Sequence, residues 1–191
     1  VYHPGMFILA SASPRRRDLL LAAGFQFEVV VADVDETPRD GEAPEGYARR
    51  VAMEKAAAVS AIRPDRWVLG ADTVVVLDGE IFGKPSDDHD AARMLQRLSG
   101  RAHDVLTAVA LTGPGGTQQA CGRTRVWMQA LAPGDIAAYV ASGEPRGKAG
   151  AYAIQGLASR FIPRIDGEYS NVVGLPVHLV ARLLIGAAVV S

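Results

Sequence analysis

A chain of 191 residues, 49% hydrophobic and 21% charged, is long enough to bury one good core and reads as a single soluble domain spanning 1–191. Its formal net charge of −1 excludes attachment to nucleic acid through a broad basic field, so any phosphate recognition must come from a few placed cations acting on a small ligand. A lone cysteine, Cys121, excludes an internal disulfide, has no Cys or His at zinc-ligand spacing, and reads as a half-buried strand residue.

The opening "VYHPGMFILAS" lacks the cationic start and long apolar run of a signal peptide, and residues 1–5, before Met6, read as an extension or an expression remnant. A strand is expected at Phe7–Ala10, followed by a helix at Pro14–Ala23 with Ser13 as N-cap and Pro14 in the first position. Arg15, Arg16 and Arg17 therefore fall in the first turn, where the helix end is partially positive and each cation is unfavourable by about 0.3–1 kcal/mol. Either they face water and pair with acids such as Asp18, or something negative offsets them. A second strand, Phe27–Val34, leads into "VVVADVDETPRD", where Asp33, Asp35 and Glu36 suit a hard divalent cation or form an ordinary acidic loop. In the helix Glu45–Ile62, Tyr47, Ala48, Val51, Ala52, Ala58, Val59 and Ile62 spread over a face of about 140° with Lys55 near its middle. Lys55 is thus aimed inward, to snorkel along apolar surface or to meet a buried anion.

The next strand, Trp67–Leu77, carries Asp72 in an otherwise apolar run. A carboxylate there is costly unless paired, hydrogen-bonded or metal-bound, which makes Asp72 either a site residue or half of a structural ion pair with a lysine. Asp78-Gly79 signals a type I′ hairpin that brings the chain back to Lys84, so part of the sheet is antiparallel. A helix at Asp87–Leu98 after a Ser86 cap, strands at Val105–Leu111 and Thr124–Ala130 joined through a turn in "TGPGGTQ", and a helix at Pro133–Ala141 follow. Ser142–Pro176 shows no regular pattern, and such a length of irregular chain suggests a functional reason. The last helix, Pro176–Val189, is interrupted by His178 and Arg182 and falls short of a membrane span. The pattern predicts an α/β fold with a mixed twisted sheet and flanking helices, and a cytoplasmic protein without a membrane partner.

Familiar phosphate motifs fail in detail. "GEIFGKP" has only three residues between its glycines and Pro85 where a P-loop needs Ser or Thr, and the glycines of "GPGG" precede a strand. "DVDET" matches the start of dehalogenase-type phosphatases, with Asp33 as nucleophile, but the later acidic metal motif of that family is not identified. None of the four histidines enters the reading of the site.

Taken together, "SASPRR", "VDE", "EKA", "GADTVV", "GKP", "AGAYAIQG" and "VVGLP", in this order from about Phe7 to beyond Pro176, resemble the signature of the Maf family of nucleotide pyrophosphatases. The resemblance implies two lobes around a cleft in a fold related to inosine-triphosphate pyrophosphatases. It also implies hydrolysis of nucleoside triphosphates to monophosphate and pyrophosphate with Mg²⁺ or Mn²⁺, a homodimer, and a link to septum formation and cell division. Arg15, Thr73 and Gln155 stand at the three positions that separate subfamilies and resemble the dTTP/UTP-preferring branch; the branch for modified guanine nucleotides shows Trp, Gln and Glu. Ala12 departs from the Gly or Thr often found there.

Combined with the residue chemistry, the resemblance gives each residue an expected role. Ser11, Ser13, Arg15 and Arg16 form an anion cradle at a helix N-terminus. Lys55 and Lys84 bind the triphosphate, Glu36 and Asp72 hold the metal, and Asp72 is the general base for water attack on the α-phosphorus. Gln155 reads the pyrimidine edge and Thr73 helps set the pocket, while Arg17 faces water. Two rivals compete: a phosphomonoesterase using Asp33, and a non-catalytic nucleotide-sensing regulator of division.

Overall fold

The computed structural model describes residues 6–190, so the extension expected at residues 1–5 lies outside them. In chain order the elements are β1 (Phe7–Leu9), α1 (Pro14–Ala22), β2 (Phe27–Val29), α2 (Pro44–Ile62), β3 (Val68–Leu77), β4 (Glu80–Phe82) and α3 (Asp88–Leu98). There follow β5 (Ala102–Gly113), β6 (Gly116–Trp127), α4 (Pro133–Ala141), β7 (Arg164–Asp166), α5 (Tyr169–Val173) and α6 (Val177–Gly186). The irregular stretch expected from Ser142 to Pro176 contains β7, α5 and two 3₁₀ turns, Ala149–Ala151 and Leu157–Phe161. No helix among the described residues is long and apolar enough to cross a membrane.

The strands form one mixed sheet in the order β2-β1-β3-β5-β6-β7, with β4 also on β3. β1 runs parallel to β2 and β3, and the other pairings are antiparallel. The β3–β4 turn has Asp78 and Gly79 both at positive φ, as its sequence predicted. The β5–β6 hairpin closes at Gly113 opposite Gly116; β5 exceeds its expected span at both ends, whereas β6 begins well before Thr124 and stops at Trp127, short of the expected Ala130.

One edge of β3 is divided. β1 covers Val68 and Leu69, β4 covers Val75 to Leu77, and no strand among the described residues covers Ala71 to Val74 between them. On the other edge β5 pairs with β3 without interruption from Val68 to Val76. The core divides along the same line. Phe7, Leu20, Leu69, Leu111 and Leu184 pack at the β1 end, and Val75, Phe82, Leu95, Tyr139 and Phe161 at the β4 end. These are the two expected lobes, joined by long strands.

The opposite face of the sheet is covered by α2 through Tyr47, Ala48, Val51, Ala52, Ala56 and Val59. Ala58 and Ile62, expected on this face, are exposed, and the buried stripe is centred instead on the small residues Ala48, Ala52 and Ala56. The helix approaches so closely at Gly70 that an added Cβ would meet the Ala52 carbonyl oxygen and come within 2.7 Å of Ala56 N. Two further expectations are corrected. The second strand ends at Val29, so Asp33, Asp35 and Glu36 lie in irregular chain. The cap of α3 is Asp87, whose carboxylate accepts from Asp90 N at 2.7 Å, where Ser86 was expected.

Candidate functional site

The uncovered stretch of β3 floors a cleft of about 380 Å³ between the lobes. Ser11, Ser13, Arg15, Arg16, Glu36, Lys55, Asp72, Thr73, Lys84 and Gln155 all line it. Six separate parts of the chain thus converge where two strand partners of β3 stop short.

Alternation along β3 sends Asp72 and Thr73 to opposite faces. Asp72 points toward α2, where Lys55 Nζ donates to its Oδ1 at 2.8 Å; both side chains are more than nine-tenths buried. The same ammonium lies 2.8 Å from Glu36 Oε1, and Lys84 Nζ reaches Glu36 Oε2 at 3.5 Å. Burial pushes the Glu36 carboxyl up, but the hydrogen bond and charge of Lys55, reinforced by Lys84, overcome it and hold the group below the usual range. Of the alternatives open for Asp72 and Lys55, the structure thus combines two: they form an ion pair, and that pair faces a cleft.

Thr73 turns to the other face and joins the arginine cradle. Ser13 caps α1 with extended backbone, and its Oγ accepts from Arg16 N at 3.5 Å. The Arg16 side chain folds back under the turn. Its Nε donates to the Gly174 carbonyl at 2.8 Å, Nη1 to Ser11 Oγ at 3.3 Å and Nη2 to Thr73 Oγ1 at 3.1 Å. Every partner among the described residues is neutral, although Arg16 is only 8% exposed. Burial lowers the Arg16 pKa, Asp72 across the cleft counters that, and neighbouring Arg15 adds to it. A buried cation without a carboxylate on it, at a helix N-terminus, calls for an anion from outside the chain. Arg15 Nε donates to the Val173 carbonyl at 3.3 Å, and burial lowers its pKa also. Arg17 faces water and pairs with Asp18 at 3.1 Å.

Asp33 is exposed and does not line the cleft, and Asp35 is exposed with its Oδ1 accepting from Thr37 N at 2.9 Å. Only Glu36 of the three neighbouring acids enters the site. Among the described residues no group of three or more His, Cys, Asp or Glu side chains is placed to hold a metal ion. Two carboxylates nevertheless share one compact cation, the Lys55 ammonium, and so can gather around positive charge.

Sequence reasoning missed the supports of this site. Asn171 is fully buried and donates through Nδ2 to the Val105 carbonyl at 3.0 Å and Thr124 Oγ1 at 3.1 Å. Its main-chain carbonyl accepts from Thr107 Oγ1 at 2.9 Å, and Thr107 Oγ1 in turn meets Thr73 Oγ1 at 3.0 Å. This chain of bonds anchors α5, whose Val173 and following Gly174 present the carbonyls that hold the arginines. Lys148 also lines the cleft, with Nζ donating to the Glu144 carbonyl at 2.6 Å; burial, helped by Arg15, lowers its pKa. The sequence signal for both was a polar residue inside an apolar context, "SNVVG" and "GKAGAY", in a stretch without periodicity.

The chain is similar to known proteins over most of its length. The chain is 51% identical to the dTTP/UTP pyrophosphatase of Shewanella oneidensis, covering 96% of this chain and 98% of that one. It is 51% identical to the dTTP/UTP pyrophosphatase of Myxococcus xanthus over 94% and 91% of the two chains. With the dTTP/UTP pyrophosphatase of Methylococcus capsulatus it shares 53% identity over 93% and 88%. The family model described as Maf-like protein matches residues 6–187, nearly the whole described chain, and the chain belongs to that family.

Proposed function

We propose that the protein hydrolyses nucleoside triphosphates, dTTP and UTP foremost, to the monophosphate and pyrophosphate. The observation that carries this reading is the pairing of a buried, carboxylate-free Arg16 cradle with a two-lysine, two-carboxylate cluster in one cleft. A binder of polyphosphate gains nothing from added carboxylates unless they hold a cation or take a proton. The relatives named dTTP/UTP pyrophosphatase, at about half identity over most of the chain, support the same substrate.

The cradle of Ser11, Ser13, Arg15 and Arg16 receives phosphate oxygens through the α1 N-terminus and two guanidinium groups. Lys55 and Lys84 neutralise the polyphosphate. As its oxygens compete for the Lys55 ammonium, Asp72 is released to accept a proton from the water that attacks the α-phosphorus. Glu36 and Asp72 fit a divalent ion such as Mg²⁺ or Mn²⁺, which protein sites hold through one or two carboxylates plus substrate phosphates. Such an ion supplies charge neutralisation and polarisation of the phosphoryl oxygen. Gln155 offers donor and acceptor to the pyrimidine edge, and Thr73 and Arg15 shape the pocket that selects it. A single domain acting as a homodimer in the cytoplasm belongs to the same proposal.

Product analysis tests it. Purified protein with Mg²⁺ or Mn²⁺ and a panel of dTTP, UTP, CTP and GTP should release pyrophosphate, fastest from dTTP and UTP. Release of orthophosphate would point to the Asp33 phosphatase, and binding without product to a sensor; either result would overturn the proposal.

A further inference from the structure

We propose that Glu144 is a positioning residue for pyrimidine selection, a reading that rests on the function proposed above. Gln155 is exposed to the cleft, and its side chain makes no hydrogen bond among the described residues. Its aim is therefore set by its backbone. Two residues before it, Ala153 N donates to Tyr139 Oη at 3.1 Å, and that hydroxyl donates to Glu144 Oε1 at 2.7 Å. Two residues after it, Leu157 N donates to Glu144 Oε2 at 2.8 Å, and Ala158 N reaches Oε1 at 3.3 Å. One carboxylate thus holds the chain on both sides of Gln155.

The segment packs closely on this carboxylate. At Gly156 an added Cβ would collide with the Glu144 carboxylate, so the segment lies directly on it. The Glu144 main-chain carbonyl also receives Lys148 Nζ at 2.6 Å, which ties a second cleft residue to the same position. Both carboxylate oxygens face only donors. Burial pushes the Glu144 carboxyl up, but the two amides and the phenol outweigh it, so the group stays ionised below its usual range. A glutamine replaces it only in part: with its amide oxygen on Leu157 N, its NH₂ can donate to the Tyr139 hydroxyl but leaves Ala158 N without its acceptor, and the reverse orientation turns the NH₂ on Leu157 N. None of these contacts touches Asp72, Lys55 or Glu36, so the residue acts on where the base is held and not on the reacting phosphate.

Glu144→Gln and Tyr139→Phe, compared with wild type on dTTP, UTP and dCTP, separate the possibilities. In Glu144→Gln the KM for dTTP should rise about tenfold with kcat within about threefold, and the preference for dTTP over dCTP should shrink by a similar factor. Amide hydrogen exchange should quicken at Ala153, Leu157 and Ala158. Tyr139→Phe, which frees only the Ala153 side, should move the same quantities less, and it carries the test if Glu144→Gln does not fold. Faster exchange with KM and preference unchanged would overturn the proposal, as would an equal fall in kcat for all three nucleotides. A wild-type protein that releases no pyrophosphate from any of them would instead refute the underlying function, and is recognised before any variant is made.

Discussion

Lys55 Nζ and Asp72 Oδ1 lie 2.8 Å apart, joining the middle of α2 to the uncovered middle of β3. Removing one partner of a buried pair strands the other, at a cost of about 3–5 kcal/mol, whereas removing both is far milder. Lys55→Met should therefore destabilise the protein by about 3 kcal/mol, and adding Asp72→Asn should restore more than half of that. Urea unfolding of the two single variants and the double variant measures the coupling. Asp72→Asn alone should fold and lose at least about 100-fold in kcat on dTTP, the range for a lost general base.

Arg16 donates to Gly174, Ser11 and Thr73 at once, which a planar fork does and an ammonium does not. Arg16→Lys keeps the charge but loses the geometry. Steady-state kinetics should show KM for dTTP raised by about tenfold or more, while Arg17→Lys, on a side chain that meets only Asp18, should leave it unchanged.

Gly70 allows α2 to lie on β3. Gly70→Ala should push the helix away, costing about 1–3 kcal/mol as overpacking, and should lengthen the reach from Lys55 to Asp72. Activity should fall by more than the fraction of unfolded protein explains, which thermal melts and kinetics on the same sample can separate. Equal activity per folded molecule would show that the spacing tolerates the shift.

His103 is 2% exposed, its Nε2 sharing a hydrogen bond of 2.7 Å with Tyr152 Oη, and burial pulls its pKa from 6.5 down to about 4. Between these values the unfolded chain takes up a proton that the folded one refuses. The contribution is complete above about pH 6.5 and fades as pH falls toward 4, amounting to about 2 kcal/mol between pH 7.5 and 5. Melting temperatures over that interval should fall for wild type and stay flatter for His103→Asn.

Much of this site was legible because each key residue broke a local rule. Asp72 interrupts an apolar strand, Lys55 sits on an apolar helix face, and the arginines oppose a helix dipole. Physical misfit marked them, and the family resemblance then supplied their roles. The division of β3 was not legible, because it depends on where β1 and β4 end beside it and not on its own residues. Nor was the order within Ser142–Pro176. That stretch is held by Glu144, Tyr139 and Asn171 bonding to backbone groups, and such bonds leave no period in the sequence. The three acids after β2 were misplaced for a related reason. Their apolar neighbours Val30, Val31 and Val34 looked like a continuing strand, yet β1 is only three residues long and offers no partner beyond Leu9.

The uninterrupted β3–β5 ladder has a consequence for how the cleft is entered. Nine consecutive residue pairs run beneath the floor from one lobe to the other, so swinging the lobes apart must bend a continuous hydrogen-bonded ladder instead of a flexible loop. The rims are irregular chain by contrast, the 30–43 segment that carries Glu36 and the 142–156 segment that carries Lys148 and Gln155, and they are the softer border of the cleft. Cross-linking these two segments should therefore slow nucleotide exchange while leaving the sheet undisturbed.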